Sequence, residues 1–316
     1  MTTRLHRSIE KKLEENQPYD ASQMVKTLYA RACNKGSFHE AADMAFDFAL
    51  KFAQKELYTI AADFGMMMVQ AWENACTSNA SVGEIEMDGS SAQSVQSSRA
   101  AFFSHEDRRQ KIQTVLSACP PKSSKDKFKF VERAVKNSIS DEVPDGDPGL
   151  HKLAGEAYLS EEEYGKAQLH LVFCGDVQLL LALLAAWKAK CYASERDLLV
   201  LRLVLVLLSM KDVATADALV REYADLDAPF VDPPLQFAYL LVEACKQQQV
   251  GFYKHIKTKY TLVLRRDPAF SECLAVIEAV CLGMEEQRGA GGGLGNLMGM
   301  VSNLMRNLNE TAEEDP

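Results

Sequence analysis

The sequence contains no pair of cysteines at CxxC spacing, and its eight thiols, at 33, 76, 119, 174, 191, 245, 273 and 281, are scattered along 316 residues. Such sparse usage excludes a disulfide-built scaffold, and the thiols read as reduced and mostly buried. Long apolar runs are missing as well. The most apolar stretch, Leu198 to Met210, is thirteen residues long and contains Arg202, which falls short of the ~20 residues needed to span a bilayer. The start, MTTRLHRSIEKKLEE, carries charges every few positions and no signal-peptide core. These absences point to a cytosolic protein with no stable membrane anchor. Excess positive charge is also lacking: 35 basic against 44 acidic residues leave a net charge of −9. That balance weighs against a general nucleic-acid or anionic-membrane binder, though a local basic face is compatible with it.

The motifs of common chemistries are absent too. The Gly-rich stretch near the C-terminus lacks GxxxxGK[ST] and no strand precedes it, so no phosphate-cradling loop is expected. His6, His39, His105, His151, His170 and His255 stand singly, without HExxH spacing or a cysteine partner. There is no GxSxG elbow. The acidic loop with Asp141, Glu142, Asp145 and Asp147 lacks the ligand order and closing glutamate of an EF-hand. No metal, no cofactor and no catalytic residue is therefore expected, and an interaction scaffold is the default reading.

What the sequence does have is helical periodicity. From Phe38 apolar or small residues recur at 38, 41, 42, 45, 49 and 52, and from Leu57 at 57, 60, 61, 64, 68, 71 and 72. Both are stripes of half-buried helices, and the short break between them predicts antiparallel neighbours. Helices are predicted at 3–15, 19–34, 38–54, 57–77, 102–117, 124–138, 148–159, 161–173, 176–190, 195–209, 213–225, 233–247, 250–265 and 268–282. Ser37 with Glu40, and Ser160 with Glu163, have capping-box spacing. Asp-Pro at 147–148, 232–233 and 267–268 suits an Asp cap followed by Pro at the first helical position. An aromatic precedes an alanine by three residues at Phe38/Ala41, Tyr58/Ala61 and Tyr164/Ala167. The pattern suits a degenerate, TPR-like α-solenoid in which a ring fills the groove beside a close helix approach.

The chain is read as an N-terminal half, 1–140, a C-terminal half, 141–282, and a tail, 283–316. The first half carries a Ser/Gly/Gln-rich insertion at 78–99 that reads as flexible. The tail joins a Met/Leu stripe, from Leu294 to Leu308, to an acidic end. Through Lys35 there are seven basic and four acidic residues, a basic end on an acidic protein. Lys122, Lys125, Lys127, Lys129, Arg133 and Lys136 form a second cluster, offset by Asp126 and Glu132. It reads either as a docking face for an acidic partner or a phosphate backbone, or as a solvated helix face.

Taken in order, several segments resemble the Golgi-to-ER traffic protein four family, the helical scaffold of tail-anchored protein targeting. They are PYDASQM at 18–24, TIAADF at 59–64, VERAVK at 131–136, DPGLH at 147–151, PPLQFAYLLVEAC at 233–245, LRRDP at 264–268 and GGGLGNLMGMVSNLM at 291–305. The resemblance implies a non-catalytic α-solenoid that bridges two partners. Its N-terminal half would dock a dimeric targeting ATPase, with Lys12 and Lys26 as basic contacts and Asp63 where a carboxylate modulates ATP hydrolysis by that partner. Its C-terminal half would bind a ubiquitin-like co-chaperone adaptor, alone or with a larger chaperone scaffold. Phe237, Leu241 and Arg265 are expected at or near that surface, although a core role explains the two apolar residues equally well. The family inserts a β-hairpin before the segment matching PPLQF. The proline-rich connection at 226–234 has room for a short one only. A helical-repeat nucleic-acid binder using the 122–136 cluster is the alternative function, and a helical enzyme would require a polar pocket.

Overall fold

The fold is all-α. The structure, a computed structural model, describes residues 2–83, 91–193, 195–227 and 232–284. Two compact units divide the chain, Met1–Ala157 and Tyr158–Pro316. The first holds α1 (Thr2–Glu14), α2 (Pro18–Asn34), α3 (Phe38–Gln54), α4 (Tyr58–Gly83), α5 (Ser91–Phe103), α6 (Glu106–Ser117) and α7 (Lys127–Asn137). Helix α8 (Pro148–Ser160) spans the division. The second unit continues with α9 (Tyr164–Leu171), α10 (Val177–Lys188), α11 (Arg196–Ser209), α12 (Val213–Asp227), α13 (Pro233–Lys246), α14 (Val250–Lys259), α15 (Thr261–Leu264) and α16 (Ala269–Val280). No strand occurs among the described residues.

Six tight turns share one geometry. Asn16, Gly36, Glu56, Glu162, Lys211 and Gln248 all have positive φ, between 51° and 74°. In each, the next N–H reaches back to the carbonyl five residues earlier, as in Ser37 to Ala32 at 3.0 Å, Leu57 to Phe52 at 3.0 Å and Asp212 to Leu207 at 2.9 Å. This is the Schellman closure, which satisfies a helix's last carbonyls and ends it in a tight turn. The first three sit at 16, 36 and 56, so α2 and α3 have equal lengths of 17 residues. Only one of the six turns uses glycine, although the left-handed region costs a side chain about 1 kcal/mol.

The aromatic-to-alanine pattern marks the helices that leave three of these turns. Ala41, Ala61 and Ala167 are each fully buried, and Phe38, Tyr58 and Tyr164 open their helices half-buried. In the first unit α3 and α4 pack along their length, with the Phe52 and Phe64 rings stacked at 5.2 Å. Small residues set the spacing: a Cβ placed on Gly65 of α4 would lie 2.9 Å from the Phe130 ring of α7. Helix α4 also meets α5 and α6, where Trp72 packs edge-on against Phe103 at 6.2 Å. In the second unit α11 is surrounded by α10, α12, α13 and α16. Every residue from Leu199 to Ser209 except Arg202 is buried.

Several local expectations change. The capping boxes do not form: Ser37 makes no side-chain cap bond, and Ser160 is the last residue of α8 rather than the start of a helix. The Schellman turn sets those starts instead. Two of the Asp-Pro carboxylates do bind the start of the next helix, Asp147 accepting from Leu150 N–H at 2.9 Å and Asp267 from Ala269 N–H at 3.0 Å. Asp232 starts α13 without a side-chain cap bond. The helix expected at 102–117 is broken at Ser104–His105, where the His105 ring accepts from Asp107 N–H. The helix expected at 250–265 is interrupted at Tyr260. Helices α4 and α5 enter the 78–99 insertion from both ends, and its centre at 84–90 lies outside the described residues. So do 228–231, the middle of the connection with room for a short hairpin, whose flanks belong to α12 and α13. The Met/Leu stripe and acidic end of the tail also fall outside. Four of the eight cysteines are buried and four half-buried, all as free thiols.

The turn geometry makes a direct prediction. A Cβ on Gly36 would meet nothing within 4 Å, so Gly36→Ala isolates the backbone term. It should lower unfolding free energy by about 1 kcal/mol in denaturant titration; an unchanged or raised midpoint would show that the left-handed turn does not limit stability.

Candidate docking surfaces

The first candidate surface lies on α1, α2 and α4 of the first unit. Lys12 stands near the end of α1, about one-third exposed, and hydrogen-bonds the Gln17 side chain and, at 3.2 Å, the Asp20 carboxylate. Lys26 reaches from α2 to Asp63 on α4 at 3.5 Å, their side chains 38% and 55% exposed. Thus two of the residues singled out in the sequence are brought together as an ion pair. Both pairs sit in high-dielectric surroundings, where such contacts contribute roughly 0–1 kcal/mol. Either lysine can change partner at little cost. Tyr19, 72% exposed, adds an apolar ring on α2, and Lys51 of α3 is tied to Glu10 of α1 at 2.6 Å.

The basic cluster at 122–136 comes apart in the fold. Lys127 is buried and donates to the carbonyls of Cys119 and Pro120 at 3.4 and 3.0 Å, which closes the connection before α7. Arg133 turns to α4 and grips Glu73 with two bonds of 2.7 and 2.6 Å. Lys129 pairs with Asp126 at 2.5 Å. A run that looks continuous along the chain is therefore split by the helix period and by a need to close buried carbonyls, so it does not form one cationic face.

Glu73 is the centre of the polar network on this side. Burial opposes its ionisation, but hydrogen bonds from Arg133 and Asn137, with the charges of Arg133 and Arg99, together hold its carboxyl below the ordinary range. These residues line an open groove of about 780 Å3 whose apolar members are Met66 and Ile139. Arg133 and the Asn137 side chain both close on Glu73, which cross-links α7 to α4. No Ser, Thr, Cys or His is among the residues that line the groove.

Two histidines, His151 and His170, pack within the fold. His151 is buried, and its Nε2 lies 2.8 Å from the Asp145 carbonyl. Burial is the main cause that pushes its ring below the usual histidine range. His170 stacks on Tyr158 at 5.7 Å. Among the described residues no group of three or more His, Cys, Asp or Glu is placed to hold a metal ion. None of the described helices is long and apolar enough to cross a membrane.

In the second unit the three residues expected at a partner surface separate. Phe237 and Leu241 have no exposed surface, and Phe237 packs against Tyr260 at 5.5 Å. They take the core role that the sequence left open for them. Both belong to the buried stripe of α13, a helix that packs against α11, α12 and α14, so they support a surface without belonging to it. Arg265 is exposed at the C-terminal cap of α15. Its neighbours in the LRRDP motif are bound down. Arg266 pairs with Asp197 at 2.7 Å, and Asp267 receives Arg202 of α11 at 3.1 Å. Sequence reasoning missed Leu262, which is 80% exposed three residues before Arg265. Its signal was a position on the outward phase of the α14 periodicity, hidden by the apolar run LVL at 262–264.

Residues 35–305 match the family described as Golgi to ER traffic protein 4. The chain is 26% identical over 313 residues to the human Golgi to ER traffic protein 4 homolog, covering 96% of this chain and 87% of that protein. It is 24% identical over 310 residues to the homolog of Oryzias latipes, covering 96% and 86%. Among solved structures it is similar to the crystal structure of C. therm. Get4, with a TM-score of 0.70 at 20% identity over 94% of each chain. At that identity the likeness speaks for the fold, an α-solenoid of stacked helix hairpins.

The burial contrast yields a paired test. Phe237→Ala should lower unfolding free energy by about 3–5 kcal/mol, the usual cost of a large cavity in a packed core. Arg265→Ala should stay within about 0.5 kcal/mol of the parent. Equal effects in denaturant titration would contradict the assignment of one residue to the core and the other to the surface.

Proposed function

Because the chain belongs to the Golgi to ER traffic protein 4 family, its task lies in Golgi-to-ER traffic, and we propose that it acts there as a non-catalytic scaffold for tail-anchored protein targeting. The first unit docks a dimeric targeting ATPase and the second a ubiquitin-like co-chaperone adaptor. Holding both on one chain raises the effective concentration of one near the other, which is what handover of a hydrophobic cargo requires.

The observation that carries this reading is the pair of partly exposed, weakly held lysines, Lys12 and Lys26. Each has a carboxylate partner on its own surface, and each of those contacts is solvent-screened. An acidic partner surface can displace Asp20 and Asp63, forming new charge pairs while the two carboxylates are released. Release of Asp63 frees it to act on the bound partner, consistent with a carboxylate that modulates ATP hydrolysis. Binding and regulation are thus coupled through one ion pair. The other basic residues up to Lys35 extend the same positive field, which steers encounter with an acidic protein. The nucleic-acid reading is weakened, since Lys127 of the 122–136 cluster is buried and Arg133 is tied to Glu73.

Charge reversal tests the reading. Lys12→Glu with Lys26→Glu should weaken binding of the ATPase about tenfold or more, with adaptor binding and helical circular dichroism unchanged. Raising salt should lower affinity of the parent and have less effect on the variant. Asp63→Asn should leave ATPase binding in place and alter its turnover in the complex. Equal loss of both partners on charge reversal would overturn the two-ended scaffold.

A further inference from the structure

The outward stripe of α14 and α15 combines charge and exposure in an unusual way. From Val250 to Arg266 there are five Lys or Arg residues and no Asp or Glu, in a chain that has 44 acidic residues. Despite the interruption at Tyr260 the two helices run on as one stripe: Tyr260 N–H bonds the Ile256 carbonyl at 2.9 Å and Arg265 N–H that of Thr261 at 3.0 Å. Lys254, His255, Lys259, Leu262 and Arg265 are exposed at helical spacing, while Tyr253, Ile256, Tyr260 and Val263 form the buried phase.

Two of the five cations are committed to the fold. Lys257 holds Glu278 of α16 at 2.6 Å, and Arg266 holds Asp197 of α11. Lys254, Lys259 and Arg265 make no ion pair among the described residues, and Lys259 lies only beside the Tyr260 ring, 5.8 Å from its centroid. Between them stands Leu262, 80% exposed and the most exposed of the large apolar side chains described. An exposed leucine gains nothing from water, and a polar residue would fit the same position in a purely solvated face. Flanked by cations that have no carboxylate partner, it forms an anchor point inside a positive strip.

We infer that this stripe docks an acidic protein segment bearing one apolar anchor, with Leu262 receiving the anchor and Lys254, Lys259 and Arg265 its carboxylates. This rests on the second unit being the adaptor-binding end, and it names the chemistry of the segment the adaptor presents. From Lys254 to Arg265 the stripe spans about 16 Å at helical rise, the length of about three turns of a partner helix. Its width selects the class of partner. The strip is one helix wide and is bordered by the carboxylates of Glu278 and Asp197, each already held by a cation. A flat anionic bilayer or a nucleic-acid duplex would meet the net −9 of the chain around the strip, whereas a narrow acidic segment meets the cations alone.

The test uses the full chain with purified ATPase and adaptor, and two variants, Leu262→Ser and the triple Lys254→Glu, Lys259→Glu, Arg265→Glu. Each should reduce adaptor affinity about tenfold or more. ATPase affinity and helical circular dichroism should not change. The triple variant should also flatten the salt dependence of adaptor binding. Parental adaptor affinity in both variants would overturn the stripe and leave the scaffold reading standing; failure of the parent chain to bind adaptor would overturn both. Binding of vesicles containing phosphatidylserine, or of single-stranded RNA, that is lost in the triple variant while adaptor binding persists would reassign the stripe to that ligand.

Discussion

A helix that is apolar on every side can exist in water only if other helices enclose it, and α11 sets that requirement for the second unit. Leu199 to Ser209 are buried apart from Arg202, and α10, α12, α13 and α16 supply the walls. Arg202 cannot be left unpaired in such surroundings. Asp267 meets it at 3.1 Å with the side chains 14% and 10% exposed, and the same carboxylate binds Ala269 N–H at the start of α16. Removing one partner of a buried pair strands the other, at a cost of about 3–5 kcal/mol. The pair therefore fixes where α15 ends and α16 begins, and with them the outward stripe of Leu262 and Arg265. The proposed partner surface is a consequence of how one charge in the core is satisfied.

The first unit follows a different logic. Its helices repeat through Schellman turns at 16, 36 and 56, and small residues let α3, α4 and α7 approach closely. Glu73 and Arg133 then lock α7 to α4. With the interior settled by packing and that bidentate pair, the ion pairs on α1 and α2 carry little of the stability. They are available for exchange, which is what an electrostatic docking end needs.

Helix type and most limits were legible because the apolar stripes have a clear 3.6 period and the turns between them are short. Their number was not: fourteen were expected and sixteen are described, α5 lying mostly in the stretch read as a flexible insertion and the 250–265 helix being split at Tyr260. The aromatic-to-alanine spacing, a weak repeat in the sequence, reappears as three buried alanines after helix starts. Other features were illegible for identifiable reasons. Ser37 and Ser160 have the spacing of capping boxes, but a Schellman turn had already set the geometry there. Lys127 and Arg133 read as surface charge, because nothing local reveals that carbonyls at Cys119 and Pro120, and a glutamate 60 residues away, require them. Phe237 and Leu241 share their apolar character with interface residues, and only the phase of α13 against its neighbours decides their burial. Lys26 and Asp63 were singled out one by one through the family resemblance, and their pairing needed α2 and α4 in three dimensions.

If two partners use separate ends of one chain, neither should interfere with the other. Sedimentation velocity on the chain mixed with ATPase and adaptor, separately and together, addresses this directly. A ternary species is expected, in which the affinity for each partner is unchanged by saturation with the other. Mutually exclusive binding, with one partner displacing the other from the chain, would show that the two share a surface and that the two-ended scaffold is wrong.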